Sequence, residues 1–299
     1  MQVSYGSVGF MNRNLEEALE RIGEVGYTHT ELAGEAPHLG EIPTGDSLQR
    51  LKQKLAGSGV QAGTLHAPLG RNVLGAPEEG WRTKQVGVNV DYLRLSGELG
   101  ADGMVIHPTP NPWDVDDPHD PALTEAVTAA ARRSLDELVP VALDSGVRML
   151  LENLPFDRWF VRQPPMYAST PSLPRYPLVS LAELRTLIDP YPPEAVGLVI
   201  DTGHAWTSGN DPVGEIEAAG ERLWGTHLQD VDGENPQDNH WAPTHGDLDW
   251  PAIRQALVGV DYRGHWTFEV CNPRDDRDDS DMELARITYD AARDLKLHA

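Results

Sequence analysis

Apolar positions along the chain alternate between two spacings. Short runs rich in β-branched and aliphatic residues, such as Val60–His66 and Val196–Asp201, are typical of buried strands. Longer segments, such as Ser47–Ser58 and Ala122–Ser145, repeat apolar residues at the spacing of one helix face. The two kinds of segment follow one another along nearly the whole chain, which predicts a regular succession of strands and helices.

Eight strands and eight helices are predicted in this way. The strands cover Val3–Phe10, Thr28–Leu32, Val60–His66, Gly103–His107, Val147–Glu152, Val196–Asp201, Leu223–Gln229 and His265–Val270. The helices cover Leu15–Gly23 with Asn14 as N-cap, Ser47–Ser58, a segment through Val86 and Leu99, Ala122–Ser145, Leu181–Ile188, Val213–Ala219, Trp250–Val258 and Asp281–Leu297. Eight strand–helix units without a linker favour a parallel α/β sheet closed into one (β/α)8 TIM barrel domain over residues 1–299. An open doubly wound sheet is the alternative, but neither Gly-rich nucleotide fingerprint occurs.

Six of the predicted strands carry a metal-ligand residue type at the C-terminal end. These residues are His66, His107, Glu152, Asp201 (followed by His204), His227 and Glu269. In a TIM barrel these ends open at one mouth. One such residue alone is ordinarily a hydrogen-bonded structural group, yet an unpaired carboxylate at the end of an apolar run costs several kcal/mol to bury. The set therefore predicts a bound cation, and mixed imidazole and carboxylate ligands suit Zn²⁺, Mn²⁺ or Fe²⁺.

The composition of the chain limits the kinds of molecule that the protein is expected to bind. The chain has 24 Lys and Arg against 47 Asp and Glu, a net charge of −23 that disfavours polyanions. A single cysteine, Cys271, excludes an intramolecular disulfide and a Cys-rich metal motif. No apolar run of about 18 residues occurs, and the N-terminus lacks the order of a signal peptide. We therefore expect no membrane partner and a cytoplasmic location.

The ordered set of strand-end residues resembles the xylose isomerase-like TIM barrels. The match includes Asp201-Thr202-Gly203-His204 and Asp238-Asn239-His240, and it covers essentially the full chain. This superfamily contains the sugar phosphate isomerases and epimerases and the AP endonucleases of family 2. In the epimerase branch, the resemblance implies one ion of the Mn²⁺ type held by Glu152, Asp201, His227 and Glu269, with Glu152 and Glu269 as catalytic acid and base. In the endonuclease branch, it implies three zinc ions, with His66 and His107 on one and His204, Asp238 and His240 on another.

The charge of the segments that follow the strands distinguishes the epimerase branch from the endonuclease branch better than the candidate ligands do. Residues 108–121 contain four acids and 228–249 contain six, both without Lys or Arg, and 270–283 contain six acids against two arginines. Loops of this charge around the mouth are hostile to a DNA duplex. We therefore expect a divalent-metal-dependent isomerase or epimerase of a small sugar or sugar derivative. Its cofactor is expected to be one Mn²⁺ or Zn²⁺, with up to three ions possible from the ligand set. Its reaction is expected to be carboxylate-mediated proton transfer at a metal-bound hydroxy-ketone. The alternatives are an AP endonuclease-like trinuclear zinc phosphodiesterase and a non-catalytic metal-binding barrel. Because TIM barrels of this class often form homodimers, a second copy of the chain is also an expected partner.

Candidate substrate-binding residues come from the same ends and from two long loops. His66, His107 and His204 are expected to bind hydroxyls or a second ion. Trp159 and Arg158 lie in the aromatic-rich segment Asn153–Ser180, which is long for a connection in a compact domain. His245 faces the mouth or caps its loop. No basic residue lies between His227 and Asp249, where several family epimerases carry an arginine, so we expect an unphosphorylated or glycoside-like substrate.

Overall fold

In the computed structural model, eight parallel strands surround one apolar interior. The structure describes residues 2–156, 176–234, 237–272, 277 and 279–297. The strands are β1 Val3–Gly6, β2 His29–Ala33, β3 Gln61–His66, β4 Gly103–Ile106, β5 Arg148–Glu152, β6 Val196–Asp201, β7 Leu223–His227 and β8 Trp266–Phe268. The described helices are α1 Leu15–Val25, α2 Gly45–Ser58, α3 Glu79–Leu99, α4 Leu123–Ser145, α5 Leu181–Ile188, α6 Thr202–Thr207, α7 Pro212–Ala219, α8 Trp250–Gly259 and α9 Ser280–Asp294.

Neighbouring strands in sequence are neighbours in the sheet. The order is β7-β6-β5-β4-β3-β2-β1-β8, and β1 pairs in parallel with both β2 and β8. Between β7 and β8 the sheet approaches closure where the N–H of Leu228 donates to the Thr267 carbonyl at 2.8 Å. The predicted single-domain TIM barrel is confirmed, and all C-terminal strand ends therefore face one mouth.

Local sequence signals account for most element boundaries. The Asn14 side chain accepts from the Glu17 N–H at 3.0 Å, as expected of an N-cap for α1. Ser180 and Glu183 form a reciprocal capping box at the start of α5. Every residue of β6 is buried, which explains why its sequence is continuously apolar until Asp201. Among the helices that the structure describes, none is long and apolar enough to cross a bilayer.

Several element ends differ from the predictions; β7, for example, ends at His227 and not at Gln229. The strand predicted over Val3–Phe10 stops at Gly6, and Ser7–Phe10 form a 3₁₀ turn in which the Ser7 hydroxyl accepts from the Ala33 N–H at 2.9 Å. Strands β4 and β8 end one residue before His107 and Glu269, which start the following loops. The short helix α6 was not predicted; it follows β6 directly, because Asp201 caps it.

Candidate metal centre

The predicted strand-end residues converge at the C-terminal mouth of the barrel. A cavity of about 740 Å³ opens there, and seven of the nine candidate ligands line it: His66, His107, Glu152, His204, Asp238, His240 and Glu269. Asp201 and His227 lie beside these residues and are fully buried. The barrel thus brings together nine candidate ligands that are separated widely in sequence.

Glu152 lies at the centre of this cluster. Its Oε2 is 3.4 Å from Nε2 of both His66 and His107. Its Oε1 is 2.7 Å from Nδ1 of His227 and 3.4 Å from Nδ1 of His204. Only 1% of its side chain is exposed, so the carboxylate has exchanged water for imidazole contacts. Such a buried carboxylate requires positive charge nearby, from protonated histidines or from a metal ion.

Asp201 is held by residues that follow β5 and β7 in loops and by helix α6, which follows β6. Its carboxylate accepts from the His204 N–H at 2.7 Å and from Nε2 of Gln229 at 3.0 and 3.2 Å. The Asn153 side chain pairs with its backbone, accepting from the N–H at 2.7 Å and donating to the carbonyl at 2.9 Å. A Cβ at Gly203 would lie 2.5 Å from Cδ of Gln229, so glycine permits the close approach.

A second group of ligands lies nearer the opening. Oδ1 of Asp238 is 3.2 Å from Nε2 of His204 and 3.1 Å from Nε2 of His240. Glu269 Oε2 lies 3.3 Å from Nδ1 of His227 and 3.7 Å from Nδ1 of His240. Glu269 therefore connects the deep part of the site with the outer group.

These contacts make the donor set suitable for transition metals. The donor atoms of Glu152, Asp201, His227 and Glu269 all lie within 4.8 Å of one another. Further groups at the same spacing combine His66 with His107 and Glu152, His66 with His227 and Glu269, and His204 with Asp238 and His240. Three carboxylates and one imidazole match the preferences of Mn²⁺, Fe²⁺ or Zn²⁺. The residues present fit one ion in the first group and leave donors for others.

The carboxylates of the candidate metal centre place more negative charge in the buried cluster than its neutral imidazoles balance. Burial opposes protonation of His66, yet the hydrogen bond and charge of Glu152 outweigh it and raise the pKa of His66 to about 9. Burial raises the pKa of Asp201 to about 6, and neighbouring carboxylates add to this shift while His204 opposes it. By contrast, burial dominates at His107 and lowers its pKa. Without an ion, part of the charge is balanced by protons on imidazoles.

Three residues of the site were missed in the sequence. Glu31 in β2 is 3% exposed, and its Oε1 is 2.9 Å from Nε2 of His227. Gln229 and Asn153 hold Asp201 as described above. Glu31 gave no clear signal, because its strand His29–Ala33 begins with the polar residues His29 and Thr30 and is seen to be fully buried only in the structure. Asn153 and Gln229 each lie one or two residues beyond a predicted ligand, where an amide gives no metal signal of its own.

The predicted substrate contacts lie in different places. His66, His107 and His204 line the cavity, whereas Arg158 and Trp159 lie outside the described residues. His245 is exposed on the loop after β7, where its N–H donates to the Ala242 carbonyl, and it does not occur among the described residues that line the cavity. Substrate binding by Arg158, Trp159 and His245 stays a prediction.

The outer wall of the cavity is apolar. Trp113 and Leu69 lie there and are 62% and 57% exposed. The Trp113 ring meets the Phe156 ring edge to face, with centroids 6.0 Å apart. In the part of the chain that the structure describes, no Lys or Arg lines the cavity. The site is therefore polar and anionic at its base and aromatic at its rim.

Comparison with known proteins gives one family and one fold. A family model described as xylose isomerase-like TIM barrel matches residues 19–290. The chain is 25% identical over 279 residues to "Uncharacterized protein MJ1311" of Methanocaldococcus jannaschii, covering 92% of this chain and 85% of that one. It is also 25% identical over 264 residues to "Uncharacterized protein ML2432" of Mycobacterium leprae, covering 85% and 83%.

Solved structures with the same fold include several sugar epimerases. A D-tagatose 3-epimerase-like protein aligns with a TM-score of 0.74 at 19% identity, over 99% of both chains. A D-psicose 3-epimerase crystallised in the presence of D-fructose aligns with a TM-score of 0.76 at 17% identity, over 99% of both chains. The 3-keto-D-glucoside 4-epimerase YcjR of E. coli gives 0.72 at 18% identity, over 99% of both chains. At these identities the likeness establishes the shared fold.

Proposed function

The chain belongs to the xylose isomerase-like TIM barrel family, and from this we propose that it is a divalent-metal-dependent epimerase or isomerase of a small sugar or sugar derivative. One observation carries the proposal: Glu152, Asp201, His227 and Glu269 place their donor atoms within 4.8 Å of one another at the base of a cavity. Two of these residues, Glu152 and Glu269, also line that cavity. The site thus combines metal ligands with carboxylates that can reach a substrate.

Glu152, Asp201, His227 and Glu269 would hold one Mn²⁺ or Zn²⁺. When bound, such an ion polarises adjacent oxygens of a hydroxy-ketone and so makes the neighbouring C–H bond more acidic. One of the two glutamates removes this proton and the other returns a proton. Return to the same carbon from the opposite face gives an epimer. Return to the neighbouring carbon, together with transfer of the hydroxyl proton to the former carbonyl oxygen, converts ketose into aldose.

The remaining residues of the cavity orient the sugar and exclude water. The imidazoles of His66, His107 and His204 offer donors and acceptors to hydroxyl groups. The aromatic wall at Trp113 and Phe156 can pack against a sugar face. Since no described lining residue is a Lys or Arg, the cavity favours a sugar without a phosphate.

The named epimerases support this choice of reaction. The structural neighbours include proteins named for D-tagatose, D-psicose and 3-keto-D-glucoside epimerisation. Their substrates are ketoses or keto-sugars, which have the acidic C–H bond that the two carboxylates need. A keto-sugar is accordingly the substrate class to test first.

The decisive experiment follows deuterium from D₂O into sugar. Metal-loaded protein is incubated with a panel of ketoses and one 3-keto-glycoside, and C–H exchange is followed by NMR. We expect exchange in at least one sugar, and a loss of about 10²-fold or more in Glu152→Gln and in Glu269→Gln. Glu215→Gln is the matched control, because this buried carboxylate lies outside the cavity and accepts from the Leu181 N–H. Metal-loaded protein that exchanges no sugar would contradict the epimerase and favour the non-catalytic barrel.

A trinuclear zinc phosphodiesterase is the second candidate. It is favoured by the grouping of His66 with His107 and Glu152, and of His204 with Asp238 and His240, beside the main site. The net charge of −23 and the acidic residues Asp114 and Asp238 that line the cavity oppose it, because a duplex is itself an anion. Nicking of an abasic duplex at low salt, abolished in Glu269→Gln, would establish this activity in place of the epimerase.

A further inference from the structure

Glu31 is a buried carboxylate that the proposed reaction leaves without a role. It lies in β2 directly after a register shift between Thr30 and Glu31, and it pairs with Thr64 of β3. Its Oε2 accepts from the Thr64 hydroxyl at 2.7 Å. Because Thr64 is also buried, this hydrogen bond is shielded from water and fixes the orientation of the carboxylate.

The second oxygen of Glu31 faces His227. Oε1 lies 2.9 Å from Nε2 of His227, and the two side chains are 4% and 1% exposed. Nε2 forms no hydrogen bond among the described residues, and Oε1 of Glu31 is the carboxylate oxygen that it faces. The opposite ring nitrogen, Nδ1, lies 2.7 Å from Oε1 of Glu152 and 3.3 Å from Oε2 of Glu269.

The two nitrogens of His227 therefore face different partners. A neutral imidazole carries a proton on one nitrogen and a lone pair on the other. Nδ1 is hydrogen-bonded to Oε1 of Glu152 at 2.7 Å. A bound ion would take the place of the proton in that contact, which would leave the ring proton on Nε2, facing Glu31. Metal-binding histidines regularly donate their other N–H to a carboxylate, which fixes the tautomer and the ring orientation.

We propose that Glu31 is a positioning residue, which holds His227 with Nδ1 directed at the metal. The inference rests on the metal site of the proposed function. Glu31 belongs to none of the four ligand groups found among the described residues, and its two oxygens already face Thr64 and His227. Its contribution is to orient a ligand.

The test measures Co²⁺ binding to the full-length protein by chelator competition, together with the visible absorption spectrum of the bound Co²⁺. Glu31→Gln keeps the size of the side chain and removes its charge. We expect it to weaken Co²⁺ binding by about 10- to 100-fold and to change the spectrum, since outer carboxylates contribute on this scale. Thr64→Val, which releases the carboxylate from its hydroxyl, should change both readouts in the same direction by a smaller factor.

Glu215→Gln serves as the control for loss of a buried carboxylate. It should lower Tm while it leaves the affinity and spectrum of Co²⁺ as in the wild type. If folded Glu31→Gln binds Co²⁺ with wild-type affinity and spectrum, the inference about Glu31 is wrong, while the proposed metal site stands. If Glu31→Gln fails to fold, wild-type Co²⁺ affinity and spectrum in Thr64→Val overturn the inference in the same way. Wild-type protein that binds no Co²⁺ would overturn both the inference and the proposed metal site.

Discussion

Glu152 is the side chain on which the charge balance of the mouth depends. It lies within 3.4 Å of four imidazoles, from His66, His107, His204 and His227. These contacts hold its pKa well below the usual range even though burial alone would raise it. At the residue scale, protons and a metal ion are thus competing ways to neutralise the same carboxylate.

This competition predicts how the effect of metal removal depends on pH. The pKa of His66 rises from 6.5 to about 9 in the folded, metal-free protein. A raised pKa gives stability that is complete below about pH 6.5 and is lost as pH rises through about 9. Metal binding has the opposite trend, because ligands must lose their protons.

We therefore expect EDTA to lower Tm more at about pH 9 than at about pH 6, by several degrees. Thermal unfolding of metal-loaded and EDTA-treated protein at both pH values measures this difference. His66→Gln, which cannot titrate, should reduce the pH dependence of the metal-free form. A larger EDTA effect at the lower pH would contradict the prediction.

At the scale of elements, the site depends on loops that follow strands. Helix α6, directly after β6, supplies Gly203. The loop after β7 supplies Gln229, which also donates to Asp238 at 3.0 Å and accepts from the His240 N–H at 2.7 Å. Gln229 thereby connects the deep carboxylate Asp201 to the outer ligand group. Small changes in packing around Gln229 should therefore alter the candidate metal centre.

Gly203→Ala tests this connection. The added Cβ would approach Cδ of Gln229 to 2.5 Å, so the amide must move. We expect a loss of about 1–3 kcal/mol in unfolding free energy and weaker metal binding. Denaturant unfolding and chelator competition measure the two effects. Gly214→Ala in α7 is the control, since its nearest neighbour would be 3.9 Å away and no loss is expected.

The turn after β4 makes a separate prediction about the substrate. Trp113 lies in the 3₁₀ turn Pro112–Asp114 on the outer wall, where its ring is well placed to stack on a sugar. Trp113→Ala should raise KM by about 2- to 10-fold, as expected for about 0.5–1.5 kcal/mol of stacking, with little change in kcat. Steady-state kinetics measure it. Leu143→Ala, an exposed residue of α4, should leave both constants unchanged.

The charge of −23 acts at the scale of the whole molecule. Part of it comes from Glu152, Asp201, Asp238 and Glu269 at the candidate metal centre, and Asp114 lies on the wall of the same cavity. An anionic substrate must approach through this field, which falls off over about 10 Å at 0.1 M salt and about 3 Å at 1 M. The surface therefore selects against anions before any contact is made.

Accordingly, the phosphate ester of an accepted sugar should show a lower kcat/KM than the free sugar. The difference in kcat/KM between the free sugar and its phosphate ester should become smaller between about 0.1 and 1 M salt, because salt screens the repulsion between the ester and the protein. Asp114→Asn, which removes a negative charge from the cavity wall, should make the same difference in kcat/KM smaller at low salt. An ester that is preferred at low salt would contradict this account and would imply a cationic contact.

The sequence by itself determined the alternation of elements and the positions of nine candidate ligands. Both are local properties: a strand or helix pattern depends on residues a few positions apart, and a ligand such as Glu152 is visible because it ends an apolar run. The same locality explains the misplaced ends. Helix α6 was hidden because its start depends on the Asp201 cap and its close packing with Gln229, which periodicity does not encode.

Only the tertiary structure decided which candidate ligands lie within reach of one another and which residues orient them. Glu31 and His227 lie on β2 and β7, which are not adjacent in the sheet, so they meet only because the barrel curves them toward one interior. The polar start of its strand hides Glu31 in the sequence, and no local pattern names its partner. The contact arises from closure of the sheet, a property of all eight strands together.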